Sequence, residues 1–167
     1  GHANCGVDFN DCSSMFCRTA VEGLFGYVPD YPNGRVTFRP QFPFEWDHAS
    51  IRTPEFSLAY RRTDGTVALD VEVARAAALT LRVAVRASAV KAVKLDGVGV
   101  AFTATPGFGC TVVEVATPGA AKASLEIVCA DWLAAPETPA LTANKGETVR
   151  IVLPGCQVVN LQDPQGV

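Results

Sequence analysis

Between Arg35 and Cys129 the chain keeps returning to one device, an apolar residue at every second position. "VALDVEVAR" puts Val67, Leu69, Val71 and Val73 on one face. "LTLRVAVRA" does the same with Leu79, Leu81, Val83 and Val85, and leaves Thr80, Arg82, Ala84 and Arg86 on the other. Successive side chains of an extended strand point to opposite faces, so a period of two buries one side and wets the other. "RVTFRP", "FSLAYRR", "CTVVEVAT", "ASLEIVCADW" and "ETVRIVLPG" obey the same rule. "TDGT" is a turn signal, and Asp96-Gly97 in "KAVKLDGVGVAF" predicts a hairpin closed by a type I′ turn. About eight or nine short strands separated by turns predict a mainly β fold, an antiparallel two-sheet β-sandwich of jelly-roll type. No βαβ pattern is present, which argues against a parallel sheet.

The first part of the chain follows a different period. In "DCSSMFCRTAVEGLFGYVPDYPNG", Asp11 or Ser13 can cap a helix whose apolar positions are Met15, Phe16, Ala20, Val21 and Leu24. Gly26 suits a left-handed stop, and Pro29 and Pro32 forbid continuation. One N-terminal helix, residues 12–25, is therefore expected ahead of the sandwich. The division is a helical segment over 1–33 and a β-sandwich domain over 34–167. Gly1-His2-Ala3 is read as a cloning remnant, so His2 carries no functional weight.

Charge and length remove whole classes of function. With 14 basic and 17 acidic residues in 167, spread without a basic stripe, neither nucleic acid nor an anionic membrane is an expected partner. The apolar runs are too short to span a bilayer, and the first residues lack the pattern of a signal peptide. Six cysteines (Cys5, Cys12, Cys17, Cys110, Cys129, Cys156) contain no C-x-x-C pair, and one usable histidine remains. A zinc site is not expected, and neither is any other metal or cofactor. Disulfide pairing stays open; Cys129, in step with Leu125 and Ile127, reads as a buried small hydrophobe.

The chemistry-bearing residues concentrate in "PQFPFEWDHAS". His48 is the one credible base, and no nucleophile elbow or phosphate loop accompanies it. Two of Asp30, Glu45, Asp47 and Glu55 could form a carboxylate pair, but nothing in their spacing sets them across a cleft. If the segment is extended, Trp46, His48, Ser50 and Arg52 share one side, with Asp47, Ala49 and Ile51 on the other. A flat ring beside acid, imidazole and guanidinium is the chemistry of sugar contacts, so Tyr31, Trp46, Asp47, His48 and Arg52 are the candidate carbohydrate-binding residues. Trp132 is a further aromatic, expected at the core or its rim. Packing is the competing reading of the cluster. Under it Trp46 is largely buried, so that Trp46→Ala costs about 3–5 kcal/mol, and Asp47 is held by backbone N–H groups or by Arg52 or Arg39.

The stretch "EGLFGYVPDYPNGRVTFRPQFPFEWDHASIRTPEFSLAYRR" resembles the junction in six-hairpin glycosidases where the last helix of an (α/α)6 barrel passes into a C-terminal β-sandwich. The resemblance covers residues 20–62, and α-L-rhamnosidases are the similar members. In such enzymes the catalytic carboxylates lie on the barrel, which 167 residues cannot hold beside a sandwich. The resemblance thus implies a non-catalytic accessory domain of a glycoside hydrolase-like protein, without catalytic residues of its own. Its implied partners are the barrel of the parent protein and an oligo- or polysaccharide. A periplasmic or secreted location follows if that parent is exported. A free-standing carbohydrate-binding module is the alternative, and a small hydrolase using Asp47 and His48 is a third reading. The apolar face of 12–25, left without its barrel, is expected to drive self-association.

Overall fold

The computed structural model describes residues 11–133, Asn144 and 146–148, with side chains from Ser14 onward. Contacts divide the chain into Gly1–Leu133 and Ala134–Val167, and the fold described here is that of the first unit. The strand expected in "ETVRIVLPG" lies largely outside the described residues, as do the side chains of Cys5, Cys12 and Cys156.

The fold is mainly β. After helix α1 (Asp11–Arg18) and a turn of π-helix (Thr19–Leu24), ten strands follow among the described residues. They are β1 (Tyr27–Asp30), β2 (Arg35–Phe38), β3 (His48–Arg52), β4 (Phe56–Thr63), β5 (Thr66–Val85), β6 (Val90–Leu95), β7 (Val98–Gly99), β8 (Thr103–Gly107), β9 (Cys110–Ala116) and β10 (Ala120–Cys129). The two runs "VALDVEVAR" and "LTLRVAVRA" are one strand, β5, 20 residues long. Only Ala76, Ala77 and Ala78 separate them, with no Gly or Pro to terminate a strand, so the chain bends there without breaking. Alternation lapses at exposed Arg75 and resumes in the same parity: Val67, Leu69, Val71, Val73, Ala77, Leu79, Leu81, Val83 and Val85 are all buried.

Each half of β5 organises its own neighbours. The first half lies between β4 and β10, in the order β3-β4-β5-β10-β6-β7. The second lies between β2 and β9, in the order β1-β2-β5-β9-β8. The apolar faces meet in one core, where Phe38, Leu79, Leu81 and Val113 from one set join Leu58, Leu69, Leu125 and Ile127 from the other. This is the expected β-sandwich, with one correction: β2 runs parallel to β5, Arg35 opposite Ala78 through Phe38 opposite Leu81. The long segment 39–65, which holds the β3–β4 hairpin, separates β2 from β5. That length gives the chain room to return in the same direction. The β6–β7 hairpin closes as expected, with Asp96 (φ 51°) and Gly97 (φ 80°) both left-handed.

The helix stops where the sequence says it should. Phe25 donates to the Ala20 carbonyl (2.9 Å), a five-residue spacing that widens the last turn, and Gly26 then takes φ 67°. Gly26 is also pinned from outside. Arg39 N–H donates to its carbonyl (2.9 Å), and a Cβ at Gly26 would stand 2.1 Å from the Arg39 carbonyl oxygen. Val21 and Phe25 pack on the sandwich core, whereas Met15 and Phe16 are 57% and 76% exposed. The apolar side of the helix is therefore divided between the sandwich and the solvent.

Tyr27 anchors the junction. Its ring stacks on Phe56 with centroids 4.1 Å apart, and its hydroxyl lies 3.2 Å from that of Tyr31.

Two measurements test this account. Gly26→Ala combines a left-handed backbone with a collision and should cost about 2–5 kcal/mol in a denaturant titration. Gly34→Ala, with φ 66° but open space around it, should cost about 1–2 kcal/mol; equal losses would contradict the steric part. The second concerns alkaline pH. Burial, aided at Tyr27 by the Tyr31 hydroxyl, raises the phenol pKa values of Tyr27 and Tyr60, and burial alone raises the thiols of Cys110 and Cys129. A folded pKa above the unfolded one means stability is intact below the unfolded pKa and falls above it. The melting temperature should therefore fall from about pH 8.5 upward and more steeply above about 10. Tyr27→Phe should flatten the upper part of that slope, and a wild-type curve flat to pH 11 would contradict it.

Candidate functional site

A strap, residues 39–47, runs from β2 to β3 across the junction with the helix. Gln41 N–H donates to the Leu24 carbonyl (2.8 Å), which ties the strap to the helix end. Its aromatic side chains build inward as a chain. Phe25 meets Phe42 edge-on (5.2 Å), Phe42 meets Tyr60 (5.0 Å), and Trp46 stacks on Phe42 (6.1 Å, 19° between planes).

The clasp on the strap is Arg62. Its guanidinium donates to the carbonyls of Phe44 and of Glu45 (3.4 Å), lies 5.6 Å over the Trp132 ring, and its own N–H donates to the Asp47 carbonyl (2.7 Å). The expected holders were Arg52 or Arg39 acting on the Asp47 carboxylate. The structure replaces both residue and atom: backbone carbonyls, held by Arg62. The signal was present in "FSLAYRR", because Arg62 falls in the inward parity of Phe56, Leu58 and Tyr60. A cation on an inward position must be satisfied by acceptors there.

Trp46 departs from the packing expectation as well. It is 42% exposed, because one ring face rests on Phe42 while the strap lifts the rest above the sheet. Asp47 and His48 sit beside it as an exposed pair, Oδ1 to Nδ1 at 2.5 Å, with side chains 74% and 82% exposed. The bond from His48, then its charge, holds the Asp47 carboxyl below its ordinary pKa. Hydrolytic use of this pair needs a nucleophile within reach. Among the described residues His48 is hydrogen-bonded through its side chain to Asp47 alone.

The five sequence-selected residues do not form one constellation. Trp46, Asp47 and His48 are consecutive at the strap end. Arg52 shares the outward face of β3 with His48 but stands four residues away, roughly 13 Å along the strand. Tyr31 belongs to the turn after β1, where its hydroxyl meets Tyr27 and the Arg75 guanidinium covers its ring at 4.9 Å.

A concave region that sequence reasoning passed over lies on the outer face of the first sheet. It encloses about 720 Å³ above β3, β4, β5 and β10. Register aligns Arg52, Ser57, Glu72 and Lys122 across the four strands. The next row is Ser50, Ala59, Asp70 and Ser124. Lys122 pairs with Glu72 (3.0 Å), Arg61 with Asp70 (3.1 Å), and Ser124 donates from Oγ to Asp70 (2.6 Å) and from N–H to Asp96 (2.9 Å). Arg52 makes no hydrogen bond or ion pair among the described residues. The only hint in the sequence was that the outward positions of these strands are small or charged.

The strap geometry separates three variants by melting temperature. Arg62→Ala should cost about 1.5–3 kcal/mol, by stranding the strap carbonyls. Trp46→Ala, half in solvent, should cost about 1–2 kcal/mol in place of a full core loss. Asp47→Ala should leave the curve unmoved. A large loss at Asp47 together with none at Arg62 would overturn this assignment.

No family model matches the chain, and no curated protein matches it. Among solved structures it is similar to an alpha-L-rhamnosidase from Dictyoglumus thermophilum. The TM-score is 0.44 at 14% identity, over 72% of this chain and 14% of that one. The chain thus spans about one seventh of the enzyme's length, and the likeness is a distant structural one.

Proposed function

We propose that this chain serves as a non-catalytic accessory β-sandwich of a carbohydrate-active, glycosidase-like protein. The observation that carries the reading is the way the N-terminal helical segment is used. Its π-helical turn and Phe25 dock on the sandwich through Val21 and the Phe25 ring, while Met15 and Phe16 on α1 stand in solvent. A helix half-claimed by its own domain suits a joint to a second body, and a helical barrel is the neighbour that the resemblance over residues 20–62 implies. The strap supports the same reading. Arg39, Gln41 and Arg62 fix the helix end, the strap and the sheet to one another, as a rigid coupling requires. Without its neighbour, the exposed part of the helix is a surface for a second copy of the chain.

A free carbohydrate-binding module is the second reading, and it rests on the half-exposed Trp46 ring beside Asp47 and His48. Stacking on such a ring would make Trp46→Ala abolish glycan binding while the fold survives.

The accessory reading predicts a reading frame that extends upstream of Ala3 by a barrel-sized, helix-rich sequence. It also predicts that this chain alone turns over neither aryl glycosides nor polysaccharides. A frame beginning at this domain, or turnover that survives purification, would overturn it. Light scattering should show concentration-dependent association that Phe16→Glu removes; a strict monomer at high concentration would count against the helix face as a docking surface.

A further inference from the structure

We infer that the concave outer face of the first sheet is a binding site for a neutral, hydroxyl-rich oligosaccharide, distinct from the aromatic strap. Its floor is made of small side chains: Ser57 is half-buried, and Ala59 lies beside it. Charged groups rise at the two ends of the row Arg52–Ser57–Glu72–Lys122, which crosses three strand spacings, roughly 14 Å. An extended chain of a few sugar rings can lie along such a row.

The polar groups offer donors and acceptors in alternation. Arg52 has all its N–H donors uncommitted among the described residues, and Ser57 has its hydroxyl. Glu72 commits Oε1 to Lys122 and Asp96 commits Oδ1 to Ser124 N–H, so each keeps a second carboxylate oxygen for a ligand. Hydroxyl groups both give and accept hydrogen bonds, and they fit this mixed set where a ligand of acceptors alone would not. Bonds to charged partners are the strong ones, so a shallow open site can still select by chemistry.

Charge sets the class of sugar. Glu55, Asp70, Glu72 and Asp96 line the depression against Arg52 and Lys122. Counting Arg61, which is paired to Asp70, the acids still outnumber the bases. An excess of negative charge opposes a uronate chain and leaves neutral glycans as the ligand.

The choice of a glycan rests on the carbohydrate-active reading of the chain; the location of the site rests on its own geometry. The test is affinity electrophoresis of the whole chain in gels containing galactomannan, xyloglucan, arabinan or polygalacturonate. Retardation is expected in at least one neutral gel and not in polygalacturonate. Ser57→Trp fills the floor and should weaken binding about tenfold or more. Arg52→Ala, at an exposed and unpaired residue, should weaken it by about tenfold without disturbing the fold. Trp46→Ala should bind as the wild type does. The inference is overturned by passage through all neutral gels without retardation, by stronger retention on polygalacturonate, or by retention of both face variants equal to wild type. It is overturned equally if Trp46→Ala alone abolishes binding. None of these results bears on the upstream reading frame, which decides the accessory role separately.

Discussion

The structure depends on a single strand that belongs to both sheets. β5 runs for 20 residues with every odd-numbered side chain except Arg75 buried, and it changes partners at the alanine-rich bend. Before the bend β4 and β10 flank it; after the bend β2 and β9 do. Two sheets that share a strand cannot slide independently, because moving one by a residue would turn every buried valine and leucine of β5 outward. The parallel β2–β5 pairing is part of this arrangement, since it closes one flank of the second half of β5 with the strand that leads out of the helix junction.

The junction between the helical segment and the sheets is tied at several points. Gly26 turns the chain, Arg39 and Gln41 bond back to the helix end, and Arg62 clamps the strap carbonyls from the sheet below. Aromatic rings fill the space between, from Phe25 through Phe42 to Tyr60, and from Tyr27 to Phe56. The polar groups of this seam are spent largely on backbone carbonyls and N–H groups. Its exposed remainder, Trp46 with the Asp47–His48 pair, lies at the strap's free end.

The outer face of the first sheet has the opposite character. Its charged residues bond mainly to one another across strands, through pairs that solvent screens and that hold side chains in place at little energetic gain. Oxygen atoms left over from those pairs, and an Arg52 with no partner among the described residues, face a concave surface of about 720 Å³. Aromatic packing thus marks the junction, and an open polar depression the outer face of the first sheet.

The sequence by itself marked out β2, β4, both parts of β5, the β6–β7 hairpin, β9 and β10 as strands, but not β1, β3 or β8. The period of two named the buried residues of β5, and Leu125, Ile127 and Cys129 of β10. The helix stop at Gly26 and the Asp96-Gly97 turn followed from local chemistry, because left-handed backbone selects residue types directly. The sequence also marked out the helix-to-strand junction. Only the tertiary structure decided that β5 is continuous and that β2 runs parallel to it, since pairing partners are chosen by register between distant segments. It decided likewise that Arg62 rather than Arg52 holds the strap, and that Trp46 stands half in solvent. The concave face was invisible for the same reason: Arg52, Ser57, Glu72 and Lys122 are separated along the chain by up to 70 residues. They become one row only when four strands lie side by side, and no period within any one strand records that.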